Sequence, residues 1–237
     1  MDDGNMYFYG YIIENDLTKF FLLSVKSCLH YMAYPTYTNI VALMYGTLCL
    51  RCSARLNLLS KEITQWAPET FGLPKQIDIL KRKAKINDIL LNIQDIFSLP
   101  ILLIIIVNIT MCGSITGWFL IRSWNESFFL WKVESAFFGV NAFLCVVSIL
   151  WVAGAVPIEM NKFKETFHGK THVRLLYYNT NDELYLKREV VNEPDFVLTG
   201  CEIVSFKRST ILAFVGTLLT YTVLLISTDT GESIKSV

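Results

Sequence analysis

The last apolar stretch of the chain, Ser209 to Ile226, limits the possible fold more than any other feature, because no charged residue falls between Arg208 and Asp229. At about 1.5 Å per helical residue it reaches roughly 27 Å, enough to cross the hydrocarbon core of a bilayer. Its polar groups are hydroxyls: Thr217, Thr220, Thr222, Ser227 and Thr228. At helical pitch Thr217, Thr220, Ser227 and Thr228 fall near one face, together with Tyr221 and Leu224. Turned inward among identical helices, that face would line a narrow wet path. Alternatively, the threonines bond back to carbonyls of their own helix.

Three more apolar blocks precede it. Residues 34–50 read as a transmembrane helix, with Tyr34, Tyr37 and Tyr45 suited to an interfacial belt and Arg51 and Arg55 ending the run. The most apolar block, 96–121, holds Gly113 and Gly117 four apart on one face, where a second helix could approach closely. Asn108 lies in its middle and is costly there unless it faces protein or water. The block 128–156 is longer than a bilayer requires, which predicts tilt or projection, and carries Trp131, Glu134 and Asn141 at helical intervals.

The intervening regions are polar. In 51–95, Leu56, Leu59, Ile63 and Trp66 recur at helical spacing, as do Ile79, Ile86, Ile89, Leu90 and Ile93, with Pro68 and Pro74 between the two runs. Amphipathic helices extending below the membrane are expected there. The basic group Lys81, Arg82, Lys83 and Lys85 reads as a solvated, orientation-setting face or as a site for acidic lipid. Pro157 opens a second polar region, 157–208. Residues 122–127 form a short turn with the glycosylation triplet Asn125-Glu126-Ser127. Residues 1–33, in which Lys19, Lys26 and His30 interrupt the apolar run, read as a loop or amphipathic segment, and 227–237 as a tail. The expected fold is all-α: a multi-pass transmembrane helical bundle with cytoplasmic helical extensions.

With 53% hydrophobic and 18% charged residues, the chain is too apolar for an ordinary soluble domain. Its formal net charge of zero gives no reason to expect a nucleic-acid partner. The placement of charge says more. Arg51, Arg55, Lys61, Lys75, Lys81, Arg82, Lys83 and Lys85 fall in one polar region, and Lys162, Lys164, Lys170, Arg174, Lys187, Arg188, Lys207 and Arg208 in the other. By the positive-inside bias both are cytoplasmic, and four spans then put both chain ends, and Asn125, outside the cell membrane. A G-protein-coupled receptor keeps its C-terminus in the cytoplasm, so this topology argues against that class.

The six cysteines are scattered, several within apolar runs, and do not form a disulfide framework. Cys49 and Cys52 have the two-residue spacing of a redox or metal pair, but no second pair accompanies them, and a buried or lipidated thiol fits better. His168 and His172 could share a metal, but Gly169 lies between them and no third ligand is obvious, so a solvated pair is expected. No nucleophile elbow, phosphate loop or paired metal motif appears, so neither enzymatic activity nor a cofactor is expected.

The run Thr199-Gly200, then Phe206-Lys207-Arg208-Ser209, then Gly216-Thr217-Leu218-Leu219-Thr220-Tyr221 followed by apolar residues resembles the C-terminal end of arthropod gustatory receptors. In that family the last helix carries Thr-Tyr, five apolar residues and Gln-Phe; here Ser227 and Thr228 stand where Gln and Phe would be. The likeness extends back to about Tyr34, with its specific part in the last thirty or so residues. It implies seven spans with an extracellular C-terminus, of which residues 34 to 226 correspond to the fourth to seventh. The chain is thus expected to be the C-terminal portion of such a receptor, from an incomplete gene model or a shortened paralogue.

The resemblance also implies a function: a ligand-gated cation channel subunit for taste, assembled as a homo- or hetero-tetramer, with a small-molecule tastant bound in the outer half of each subunit. Mapped by position, Tyr221, Leu224, Ser227 and Thr228 would line the pore, hydroxyls replacing ion hydration and a leucine ring gating by excluding water. Thr110, Trp118, Trp131, Glu134 and Phe138, on the outer halves of two spans, are the candidate ligand pocket; lipid-facing aromatics and an interfacial Glu are the other reading. Two further classes stay open: a membrane transporter fragment, motivated by Asn108, Glu134 and Asn141 within spans, and a nonconducting degenerate receptor or scaffold.

Overall fold

The computed structural model describes residues 15–121, 129–178, 181–192 and 196–235. It is built almost wholly of helices and divides into two compact units, Met1–Ile40 and Val41–Val237.

In the first unit, helix α1 (Asp16–Tyr31) is capped by Asn15, whose side-chain oxygen accepts from the Leu17 amide at 3.0 Å. A π-helical link, Met32–Tyr37, follows, broken at Tyr34, whose φ of −145° and ψ of 125° are extended. The ring of Pro35 disfavours the helical region for the residue before it, which accounts for the break.

Helix α2 (Thr38–Gln65), most of which belongs to the second unit, leads through a short 3-10 turn at Pro68–Thr70 to α3 (Leu73–Ile121), then α4 (Phe129–Ala153), α5 (Ala155–Tyr178) and α6 (Asn181–Asn192). Two short antiparallel strands, β1 (Thr199–Gly200) and β2 (Val204–Ser205), pair Thr199 with Ser205 and precede the last helix, α7 (Arg208–Lys235).

The core of the second unit follows a spacing of alternating threes and fours. On α2 it is Tyr45, Cys49, Cys52, Leu56, Leu59 and Ile63; on α3, Ile79, Lys83, Ile86, Leu90 and Ile93; on α4 and α5, Ile149, Ala153, Val156, Met160, Phe163 and Phe167. That spacing keeps one stripe of each helix facing its neighbours, as in a coiled coil. Of the two periodic runs, the seam buries Leu56, Leu59, Ile63, Ile79, Ile86, Leu90 and Ile93, leaves Trp66 partly buried and Ile89 42% exposed, and adds Lys83, which is only 4% exposed. The aromatic end is tight: Phe71 meets Phe167 edge-on at 5.8 Å, and the Arg174 guanidinium donates to the carbonyls of Pro68 and Glu69 in the 3-10 turn.

Among the described residues three helices are long and apolar enough to cross a membrane: Leu73–Leu120, the pair Lys132–Tyr178 and Arg208–Ser227. Polar region and span are therefore continuous in two of them. Residues 51–95 and 96–121, separate in the sequence reading, meet on the single helix α3, which passes through Pro100 unbroken. Ala155–Tyr178 continues α4 with one interruption, at Gly154. The expected span at 34–50 takes another form: Tyr34 lies in the break, and only Thr38 to Leu50 are helical before Arg51, roughly 20 Å of helix. Likewise helix α7 extends through most of the expected tail, to Lys235. The turn at 122–127, with the Asn125 triplet, lies outside the described residues.

Asn108 faces protein. It is buried, and its side-chain nitrogen donates to the Ile104 carbonyl at 2.7 Å and approaches Cys145 Sγ at 3.8 Å. Cys49 and Cys52 are free thiols buried in the α2 seam, which removes the lipid-anchor reading.

Candidate functional site

Helix α7 is held firmly at its base. The strands before it turn through Cys201 and Glu202, both in the left-handed region at φ 49° and 60°. They are clamped to α3: Gln94 Nε2 donates to the Thr199 carbonyl at 2.8 Å, the Thr199 amide donates to Gln94 Oε1 at 3.0 Å, and the Cys201 amide donates to Ser98 Oγ at 2.6 Å. Phe206 is buried just below. The first turn of α7 then crosses α4 at Gly154, where a Cβ would come within 2.9 Å of the Arg208 backbone nitrogen, so only glycine allows this approach. The Arg208 guanidinium lies 4.2 Å from the Trp151 ring centre.

Above this base α7 is almost bare. Only 6% of its most apolar stretch is buried within the chain, against 33% and 39% for the other two membrane-length helices. Three faces can be told apart. Ile211, Phe214, Leu218, Thr222 and Leu225 turn towards the bundle, and Phe214 stacks on Phe143 at 5.9 Å. Leu212, Leu219, Val223 and Ile226 form an exposed aliphatic face. Between the two runs the exposed strip Thr217, Thr220, Leu224 and Ser227, on which Leu224 is 57% exposed.

The hydroxyls on this strip follow the plainer expectation. Thr217 donates to the Ala213 carbonyl at 2.9 Å, Thr220 to Gly216 at 2.9 Å, and Ser227 to Leu224 at 2.8 Å. A hydroxyl has one proton to give and two lone pairs, so back-bonding satisfies the donor and leaves acceptor capacity on the oxygen. Thr222, on the bundle face, makes the same bond to Leu218.

The sequence-derived pore set is not placed as one strip. Leu224 and Ser227 lie on it. Tyr221 is 40% exposed and leans towards α3: its hydroxyl sits 3.1 Å from where a Cβ on Gly117 would be. Of the glycine pair expected to admit a second helix, Gly117 is approached by the Tyr221 and Leu225 side chains of α7, whereas Gly113 has nothing within 4 Å. The side chain of Thr228 lies outside the described residues.

The candidate pocket residues have unlike surroundings. Thr110 is exposed and donates to the Ile106 carbonyl, Trp118 meets Phe119 edge-on at 5.1 Å, Glu134 is exposed, and Phe138 is buried beside Phe137. The Trp131 side chain lies outside the described residues. Among the described residues, hollows lie between α2 and α3 in their polar parts, one lined by Arg55, Arg82 and Lys85 and one by Glu62, Lys75 and Asp78, and none of the five candidate pocket residues lines either.

His168 and His172 stack at 6.1 Å, and Lys187 Nζ lies 3.1 Å from His172 Nδ1. Burial, with the positive charges of Lys187 and His172 nearby, pushes the His168 imidazole below its ordinary range. Among the described residues no group of three potential metal ligands gathers here or elsewhere. The clamp from Gln94 and Ser98 to the strands was not foreseen; its partners stand about a hundred residues apart, and no local spacing announces them. Compared with protein-family models and with curated proteins, the sequence matches none.

Proposed function

We propose that this chain is a gustatory-receptor-like chemosensory subunit, a membrane protein in which α7 from several copies surrounds a cation path gated by a small tastant. The observation that supports this most is the state of α7: membrane-length, anchored at its base, and above it nearly unburied by its own chain. An apolar helix left in this condition is completed by lipid or by other helices. Its division into an aliphatic face and a hydroxyl strip gives each a place, the aliphatic face towards apolar neighbours and the strip towards water. By the positive-inside bias, Lys207 and Arg208 favour a cytoplasmic start for α7 and an extracellular end.

In this reading Leu224, Ser227 and Thr228 narrow the path and Tyr221 braces α7 against α3. The tastant site, sought at Thr110, Trp118, Trp131, Glu134 and Phe138, is tested by alanine substitution with a dose-response readout. The decisive experiment is Leu224→Ser in the full chain expressed in cells: resting current without ligand should rise. Unchanged resting conductance in a chain that still responds to ligand would exclude this pore face, and an epitope after Val237 reachable only in permeabilised cells would exclude the topology.

A nonconducting scaffold is the second reading, favoured by the self-satisfied hydroxyls and by Ser227 and Thr228 in place of Gln and Phe. It predicts assembly at the membrane with no current from any variant. A transporter loses one of its motives, because Asn108 is bonded inside the bundle.

A further inference from the structure

We propose that the notch between α2 and α3 binds the phosphorylated headgroup of an anionic lipid from the cytoplasmic leaflet. The hollow is about 300 Å³, at the low end for a small-ligand site, and is lined by Arg55, Leu58 and Leu59 of α2 and by Arg82, Lys85, Ile86 and Ile89 of α3. Buried Leu59 and Ile86 form its floor, half-exposed Leu58 and Ile89 its walls, and the three cations its rim.

The cations are not equivalent. Arg82 is gripped by Glu62, with both carboxylate oxygens at 2.9 and 3.0 Å, and has Asp78 at 3.8 Å, so its charge is largely offset and its guanidinium fixed. The other two cations of the lining, Arg55 and Lys85, come from different helices. Two cations beside apolar side chains suit an anion attached to a carbon ring.

Position selects a lipid. Ile89 stands seven residues before Ile96, where the apolar part of α3 begins, roughly 10 Å along the helix. The polar headgroup layer is roughly 5–8 Å deep on each side, so the Ile89 wall lies just beyond its outer edge and Lys85, four residues further along the helix, roughly 6 Å beyond that. A headgroup that projects from the surface, such as an inositol ring carrying phosphates, reaches this level, whereas one lying flush does not. On α3 the stretch between notch and apolar segment exposes Leu91 and Ile96 together with Asn92 and Asp95. The inference rests on the cytoplasmic placement of the basic regions proposed above, but not on conduction.

The test uses the full chain purified in detergent and a fluorescent dioctanoyl phosphatidylinositol bisphosphate, with binding read by anisotropy and no current recorded. Each surface cation contributes about fivefold, so Arg55→Ala with Lys85→Ala should weaken binding about twenty-five-fold. Leu58→Trp, at a position 62% exposed, should obstruct the mouth and weaken binding with every charge kept. Lys61→Ala with Lys81→Ala, both exposed and outside the notch, should leave it unchanged. If the double alanine variant fails to fold, Leu58→Trp alone decides. Equal loss in the control pair, or no loss in either notch variant, would overturn the site. Inositol trisphosphate binding as tightly as the intact lipid would mean a soluble occupant and overturn the lipid assignment.

Discussion

The seam of α2, α3 and α5 and the upper part of α7 are both helical and rich in large apolar residues, yet they solve opposite problems. In the seam each apolar residue meets another across the bundle: Leu56, Ile63, Leu90, Phe163 and Phe167 are buried within the chain. On α7 Leu212, Leu219, Val223 and Leu224 are exposed, and the helix touches its own chain mainly at its base and along one stripe. A stripe written in threes and fours specifies a partner, whether the seam or the narrow bundle-facing stripe of α7; the exposed remainder of α7 specifies only what it can be immersed in. Buried packing is shared by the polar-region helices and by the apolar parts of α3 and α4, where Ile101, Ile105, Ala142 and Val146 are buried, and α7, the membrane-length helix with the least internal support, is the one free to associate with other copies.

The largest expected effect tests that contrast directly. Phe163→Ala removes a fully buried ring and should cost about 3–5 kcal/mol, whereas Leu219→Ala should change stability by less than about 0.5 kcal/mol. Thermal unfolding of the purified chain in detergent compares them. Similar costs would mean that α7 is packed as closely as the seam, and the distinction would fail.

A middle-sized effect sharpens the boundary between the two regions. The three bonds between Gln94 and Thr199 join α3 to the turn that launches α7. Gln94→Leu leaves the half-buried Thr199 amide and carbonyl without these partners, at a cost of about 1–3 kcal/mol. Amide hydrogen exchange should quicken in residues 199–206 while the α2 seam keeps its protection. Faster exchange in the seam as well would make strands and bundle one cooperative unit.

The seam was the more legible of the two regions. Leu56, Leu59 and Ile63, and Ile86, Leu90 and Ile93, declare an inward face by spacing alone, and Gly117 declares a close approach. Lys83 was not legible, because a run of four cations reads as a solvated face: Lys81, Arg82 and Lys85 are exposed, but helical pitch turns the one between them into the core. The first span misled for a related reason. Composition counts Tyr34 with the apolar residues that follow, whereas the conformation forced on it by Pro35 ends one element and delays the next to Thr38. Tyr221 shares a helical face with Leu224 by angle, but its length carries the hydroxyl sideways to Gly117, a contact set by another helix more than a hundred residues earlier.

The smallest expected effect on stability bears most on function. Thr217→Val with Thr220→Val deletes two hydroxyls from the exposed strip of α7 and keeps the branched shape, so rotamer preference and helix propensity scarcely change. Each hydroxyl donates within its own helix and supports no other element, so unfolding of the single chain should shift by less than about 0.5 kcal/mol. If the strip faces water in an assembly, cation conductance should nonetheless fall, because oxygen acceptors that can replace ion hydration are gone. Thr222→Val is the internal control: it removes an equivalent back-bond from the bundle face and should leave conductance unaltered. A fall in both variants would point to helix distortion, and a stability loss above about 1 kcal/mol in the double variant would show the strip packed against protein; either result would dissolve the difference between a helix completed by its own chain and one completed by its copies.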